Sequence, residues 1–146
     1  MPDSILKYFQ SQIGKSIEKS SASLGNWLNG TFVEVKEGEM TVSFVVRKDM
    51  TNPLGILHGG AASAIIDDVM GMTVYALGKE FVYVTVSLTV DFLDNAKEGE
   101  TIYAKTRVVR NGKTLINVEC QLTNEQNKLL AKGTSNFVAT SIKTTL

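Results

Sequence analysis

The chain has a single cysteine, Cys120, so it can close no internal disulfide and build no thiolate metal cluster. Its only histidine is His58, which rules against a zinc site of the usual composition, so neither a metal nor a cofactor is expected. No basic cluster exceeds the pair Arg47-Lys48, and 15 basic residues balance 15 acidic ones, so the electrostatic footprint of a nucleic-acid binder is missing. A near-neutral surface favours self-association instead. No apolar run is long enough to cross a bilayer, and Met1-Pro2-Asp3-Ser4 does not open a basic-then-apolar leader. The expectation is a soluble, cytoplasmic protein with no membrane partner. Several catalytic signatures are absent too. Ser63 lies between Ala62 and Ala64 rather than in a Gly-x-Ser-x-Gly elbow, and no phosphate loop or Gly-x-Gly-x-x-Gly fingerprint occurs. Cys120 falls in a strand pattern and reads as a small core residue.

What is present fits one domain spanning residues 1–146, large enough to bury roughly 68–70% of its unfolded surface. Residues 1–24 read as an N-terminal helix and loop. Ile5, Leu6, Phe9, Ile13 and Ile17 recur at helical spacing after Asp3-Ser4, and Ser20-Ser21-Ala22-Ser23 with Gly25 follows as loop. The period then changes to two. Strands are expected over 31–35 and 40–46 around Glu37-Gly38-Glu39, and over 82–92. Two more, over 101–109 and 115–122, are joined by a two-residue Asn111-Gly112 turn, and 129–139 completes the set. Between the second and third strands lies a helix from about His58 to Leu77, ended by Gly78. Helix, two strands, long helix, four strands is an α+β order in which one sheet must wrap one dominant helix.

Residues 52–68 carry most of the chemical information. Turn residues Asn52-Pro53 and Gly55 lead into His58 and the pair Gly59-Gly60, and then into an apolar helix bearing Asp67 and Asp68. At about 100° per residue, Ala62, Ile66, Val69, Met70, Thr73, Ala76 and Leu77 form the core stripe. The opposite side carries Gly60, Ala64, Asp67, Asp68, Gly71, Tyr75 and Gly78, too few charges for a solvated face and small enough for close approach by protein. Asp67 sits among the small residues, Asp68 further round towards Tyr75. A carboxylate buried there without a cation is suited to general-base work. The free N–H groups at the helix start carry partial positive charge, and glycine leaves them open to a carbonyl.

Asn52-x-x-Gly55-x-x-His58-Gly59-Gly60, with Asp67 fifteen residues after Asn52, resembles the motif of the hotdog-fold acyl-CoA thioesterases, PaaI-like branch, of the 4-hydroxybenzoyl-CoA thioesterase superfamily. The matching order of elements covers roughly 25–140. The resemblance implies a long central helix wrapped by a curved antiparallel sheet of about six strands, in homodimers that pair into tetramers. It implies thioester hydrolysis with Asp67 as base or nucleophile, the Gly59 N–H polarising the carbonyl, Asn52 orienting water or thioester, and His58 tying the loop to the helix. Gly60 and Asp68 adjoin the substrate. On the strand after the helix, Thr85 is the implied water-positioning hydroxyl, with Ser87 on the same face as a second. Asn52 and Gly59 of one protomer would then meet Asp67 and Thr85 of its neighbour. Ile56, Leu57, Val69 and Met72 are candidates to line the acyl pocket, and Arg47, Lys48, Arg107, Arg110 and Lys113 to hold the coenzyme A phosphates. Two other readings remain open at this point: a hotdog acyl-thioester hydratase or dehydratase, and a non-catalytic acyl-CoA binder. The first usually pairs its acid with a histidine after Pro-Gly; the second usually carries a basic extra domain. Neither feature is in this sequence.

Overall fold

The computed structural model describes residues 2–17 and 23–145. Helices α1 (Pro2–Ser11) and α2 (Ser23–Leu28) precede strands β1 (Thr31–Lys36) and β2 (Glu39–Val45). A 3-10 turn (Lys48–Met50) and a loop lead into α3 (Gly59–Tyr75). Strands β3 (Phe81–Phe92), β4 (Thr101–Asn111), β5 (Leu115–Asn124) and β6 (Leu129–Lys143) complete the chain. All pair antiparallel in one six-stranded sheet of order β1-β2-β4-β5-β6-β3. This is the hotdog arrangement that the resemblance implies.

α3 is the filling. Ile65, Ile66, Val69 and Met70 are fully buried, packed with Val42, Phe44, Ile102, Ala104, Ile116, Val118 and Leu122 of the sheet. The expected stripe is buried from Ala62 to Ala76, with Leu77 half-buried, and it is wider than projected because Ala61, Ile65 and Val74 join it. Gly133 allows this closeness: a Cβ there would stand 2.9 Å from Ile66 Cγ2. The helix stops where expected, with Gly78 at φ +67°.

The N-terminal reading needs correction. α1 ends at Ser11, and Gly14 at φ +80° turns the chain back along the sheet, where Ser16 bridges Thr31 and Ile17 is buried. Ile13 and Ile17 are therefore not helical. Ser20, Ser21 and Ala22 lie outside the described residues, whereas Ser23 and Gly25, expected in the loop, belong to α2. A six-residue helix is too short to show a period. Its one legible signal was Asn29, at φ +51° just past the end, since asparagine tolerates that conformation at a helix C-terminus.

The hairpin turn is also not at Asn111-Gly112. A bulge at Val109 shifts the register, Asn111 pairs with Ile116, and the Gly112 N–H donates to the Leu115 carbonyl at 2.9 Å. The hairpin closes instead on Lys113-Thr114, between Gly112 and Leu115, and is pinned by the Tyr83 hydroxyl donating to the Lys113 carbonyl at 2.6 Å.

Ile66→Ala removes side-chain volume where α3 packs against Gly133, and we expect it to cost about 2–5 kcal/mol in urea unfolding. A loss below about 1 kcal/mol would mean that α3 settles into the space, and that Gly133 does not set its height.

Candidate active site

The loop before α3 is built around Asn52. The Gly55 N–H donates to the Asn52 carbonyl at 2.9 Å, closing a turn over Pro53 and Leu54 with Gly55 at φ +77°. Inside it, Asn52 Oδ1 accepts from the N–H groups of Leu54 (2.9 Å) and Ile56 (3.4 Å). The amide face left for chemistry is therefore the donor Nδ2. The loop is stapled to its surroundings by Leu57 N–H to the Ala96 carbonyl and His58 N–H to the Met50 carbonyl, both 2.8 Å.

His58 is the N-cap of α3, and its Nδ1 accepts from the Gly60 N–H at 2.8 Å. The contact fixes the ring and uses the Gly60 donor, so Gly60 offers space rather than a hydrogen bond. Gly59, the first helical residue, keeps an N–H that no intrahelical carbonyl can reach. The Phe92 ring stands beside it, 3.3 Å from where a Cβ would lie.

Two turns further on, Asp67 is half-buried, and Thr85 Oγ1 of β3 donates to its Oδ1 at 2.9 Å. The structure thus brings Asp67 and Thr85 together within one chain. Ser87 does not join them. Thr85 pairs with Phe137 and Ser87 with Asn136, so Val86 is an extra residue that reverses the alternation. Phe137 is buried under α3, which puts Thr85 on the helix side. Ser87 faces the other side, where its Oγ accepts from Asn136 Nδ2 at 3.0 Å. The expectation of a shared face for Thr85 and Ser87 assumed an unbroken period of two.

Asp68 lies further round the helix, half-buried. Burial first, and then the neighbouring Asp67 charge, push its carboxyl above the ordinary value of 3.8. The Tyr75 hydroxyl bonds the backbone of Thr145.

Among the acyl-pocket candidates, Val69 is excluded because it is fully buried in the core. Ile56 and Leu57 line a cavity of about 150 Å³ beside Gly59, with Phe92, Leu122, Leu130 and Asp94. Phe92 was missed, although its place at the end of an alternating strand next to the glycine pair was a usable signal. Of the basic candidates, Arg47 donates to the carbonyls of Leu28 (3.1 Å) and Trp27 and pairs with Asp49. Arg107 pairs with Glu119. Lys48, Arg110 and Lys113 are exposed.

Residues 54–131 match the model of the thioesterase superfamily. The chain belongs to that family. Among its curated relatives, human acyl-coenzyme A thioesterase 13 is 31% identical over 104 residues, 70% of this chain and 74% of the relative. A putative esterase of Archaeoglobus fulgidus is 30% identical over 90% of both chains. A Streptococcus mutans structure bound to acetyl-CoA superposes with TM-score 0.74 at 26% identity, covering 79% of this chain and 91% of that one. The PaaI protein of the E. coli phenylacetic acid degradation operon superposes with TM-score 0.80 at 22% identity, covering 86% and 89%. The thioesterase-superfamily match contains Gly59, Asp67 and Thr85 but begins just after Asn52. Among the described residues no helix is long and apolar enough to cross a membrane.

The raised Asp68 carboxyl has a consequence for stability. Its folded state holds the proton more tightly than the unfolded chain, so its contribution is complete below the unfolded value and is lost as pH rises through the folded one. Asp68→Asn cannot ionise. It should therefore be more stable than the native chain at neutral pH, with the gain shrinking near about pH 4. Urea midpoints at both pH values test this; a gain that does not depend on pH would contradict it.

Proposed function

We propose that the chain hydrolyses acyl-CoA thioesters to the free acid and coenzyme A, at a site completed by a second copy of itself. One observation carries the shared site. Gly59 and Asp67 stand eight residues apart on one rigid helix, about 12 Å along its axis. An oxyanion donor and a base must both come within about 3 Å of the same reacting group. Within a single chain they cannot.

β3 supplies a means of bringing a second copy. Among the described residues it is a twelve-residue edge strand paired only with β6, and Val84 and Val86 on it are 43% and 56% exposed. An edge this long and apolar is a template for another strand. Two β3 strands paired about a two-fold axis would set the α3 helices side by side and antiparallel, so that Gly59 of each lies near Asp67 of the other. Pairing of such dimers into tetramers belongs to the same proposal.

The roles follow from the contacts. The Gly59 N–H, at the positive end of α3, stabilises charge developing on the thioester oxygen. Asn52 Nδ2 orients the thioester or the water. Asp67, aligned by Thr85, takes a proton from that water, whose oxygen attacks the carbonyl carbon; the C–S bond breaks and the thiolate is protonated. The same carboxylate could instead attack the carbonyl itself. The residues suffice without a cofactor. Relatives named as acyl-CoA thioesterases, and a similar structure bound to acetyl-CoA, support coenzyme A esters as the substrates. A cytoplasmic setting, expected from the sequence, is part of the proposal.

Asp67→Asn should lower turnover of acyl-CoA substrates by about 10²–10⁴-fold, measured as thiol release. Survival of activity in Asp67→Asn together with its loss in Asp68→Asn would reassign the base. The shared site is tested by complementation. Asp67→Asn and Gly59→Val, each inactive alone, should recover about a quarter of native activity when co-expressed, because mixed dimers keep one intact site. Failure of stable mixed dimers to recover activity would put the whole site in one chain.

A further inference from the structure

The two edges of the sheet differ in how they are protected. β1 carries Glu34 and Lys36 and is covered by the N-terminal segment. Ser16 bridges Thr31, the Gly14 N–H donates to the Phe32 carbonyl, and the Phe9 ring packs edge-on against Phe32. Charge and covering are the usual guards of a sheet edge. β3 has neither. It contains no lysine, arginine or proline, and among the described residues no strand pairs with its free side. Val84, Thr85, Val86 and Ser87 are exposed in succession, where a strand with one covered face would alternate.

Backbone direction limits how a second β3 can pair. The Ser87 carbonyl accepts from Ser135 Oγ at 2.8 Å, and a Cβ on Gly133 would stand 3.4 Å from the Thr89 carbonyl. The Leu93 N–H donates to the Leu130 carbonyl at 2.8 Å. Alternate residues from Ser87 thus direct their backbone groups to β6, and Leu88, Val90 and Phe92 direct theirs to the open edge. Leu88 and Val90 also lie on the helix side, since they pair with the buried Ser135 and with Gly133 beneath Ile66. A two-fold axis that keeps both helices on one side of the joined sheet must oppose residues of the same kind. The allowed registers then differ by two residues, about 7 Å of sliding.

The site selects one of them. Ser63 is midway between Gly59 and Asp67 on α3, so the axis passes beside it. On β3, Phe92 stands against Gly59 and Thr85 holds Asp67. With Val86 set apart as the bulge, Thr89 is midway between Thr85 and Phe92. We propose that two copies pair with Thr89 on the two-fold axis and with Ser87 donating to the partner's Asp91. Leu88 and Val90 then exchange backbone hydrogen bonds with the partner's Val90 and Leu88. This register rests on the shared-site reading above. Ser87 is prepared for its part. Asn117 Nδ2 donates to Asn136 Oδ1 at 2.8 Å, and Asn136 Nδ2 to Ser87 Oγ at 3.0 Å, which leaves the hydroxyl hydrogen for an acceptor across the seam. Asp91 is exposed on the same outer face. The register also sets Phe92 opposite the partner's Thr85, so its ring enters the site from the Gly59 side. A slip to the next register would carry Gly59 about 7 Å away from the partner's Asp67.

Cross-linking tests this cleanly, because Cys120, the only cysteine, is buried. Thr89→Cys would face its own copy across a non-hydrogen-bonded pair, with about 4.5 Å between Cα atoms, within disulfide reach. Oxidation of the full chain should give a covalent dimer that still hydrolyses acyl-CoA, since Thr89 lies on the face away from the helices. Ser87→Cys and Asp91→Cys should stay unlinked alone and join as a heterodimer once mixed and re-equilibrated. A stable dimer in which Thr89→Cys does not link, or in which Ser87→Cys links to itself, would overturn the register while sparing the hydrolase reading. The expected links without thiol release from any acyl-CoA would sink the hydrolase reading and leave the register standing. Ser87→Asp opposes like charges twice in each dimer and should weaken dimerisation about tenfold in sedimentation, with Asp91→Lys in the same chain restoring it. Equal weakening in the double variant would remove the Ser87–Asp91 contact from the seam.

Discussion

The height and roll of α3 over the sheet decide nearly everything about the site. Ile66 rests against the backbone of Gly133, and Gly133 pairs with Val90 of β3. That contact ties the helix to the pair of strands that runs beside it. With Ile66 pointing into the sheet, the next residue, Asp67, turns about 100° away, onto the flank that overlooks β3. There the Thr85 hydroxyl meets it. A bulkier residue at Gly133 would lift the helix and misalign the acid together with its partner.

Periodicity made α3 and the strands legible, and the projection separated Asp67 from Asp68 before any geometry was known. Periodicity failed where a single extra residue resets it. The bulge at Val86 turns Ser87 to the outer face, and past the one at Val109 the hairpin turns at Lys113-Thr114 rather than at Asn111-Gly112. Nothing in either strand's composition announces these bulges, because they follow from register with a neighbour distant in sequence. The failure at the N-terminus is different. Ile13 and Ile17 keep helical spacing, but Gly14 takes a left-handed conformation and Ile17 is buried from an extended segment instead. A weak helical pattern lost to tertiary packing.

The site elements were legible to differing degrees for physical reasons. Asn52, His58 and Gly59 act through local backbone geometry, which sequence spacing encodes directly. Asp67 needed only the helical period. Thr85 depended on which face of β3 looks at the helix, and the choice between it and Ser87 could be settled only by the pairing with Phe137 and Asn136.

The adjacent aspartates illustrate how one helix serves two purposes. Neighbouring residues diverge by about 100°, so like charges can occupy different environments at nearly the same height. Asp67 has a hydroxyl donor and a view of the open edge of the sheet. Asp68 has burial and a neighbouring negative charge, and both oppose its ionisation. Retaining such a carboxylate costs stability at neutral pH, so it calls for a compensating contact. The small-residue face around it, with Ala64 and Gly71 beside both acids, leaves room for that contact to come from another copy of the chain.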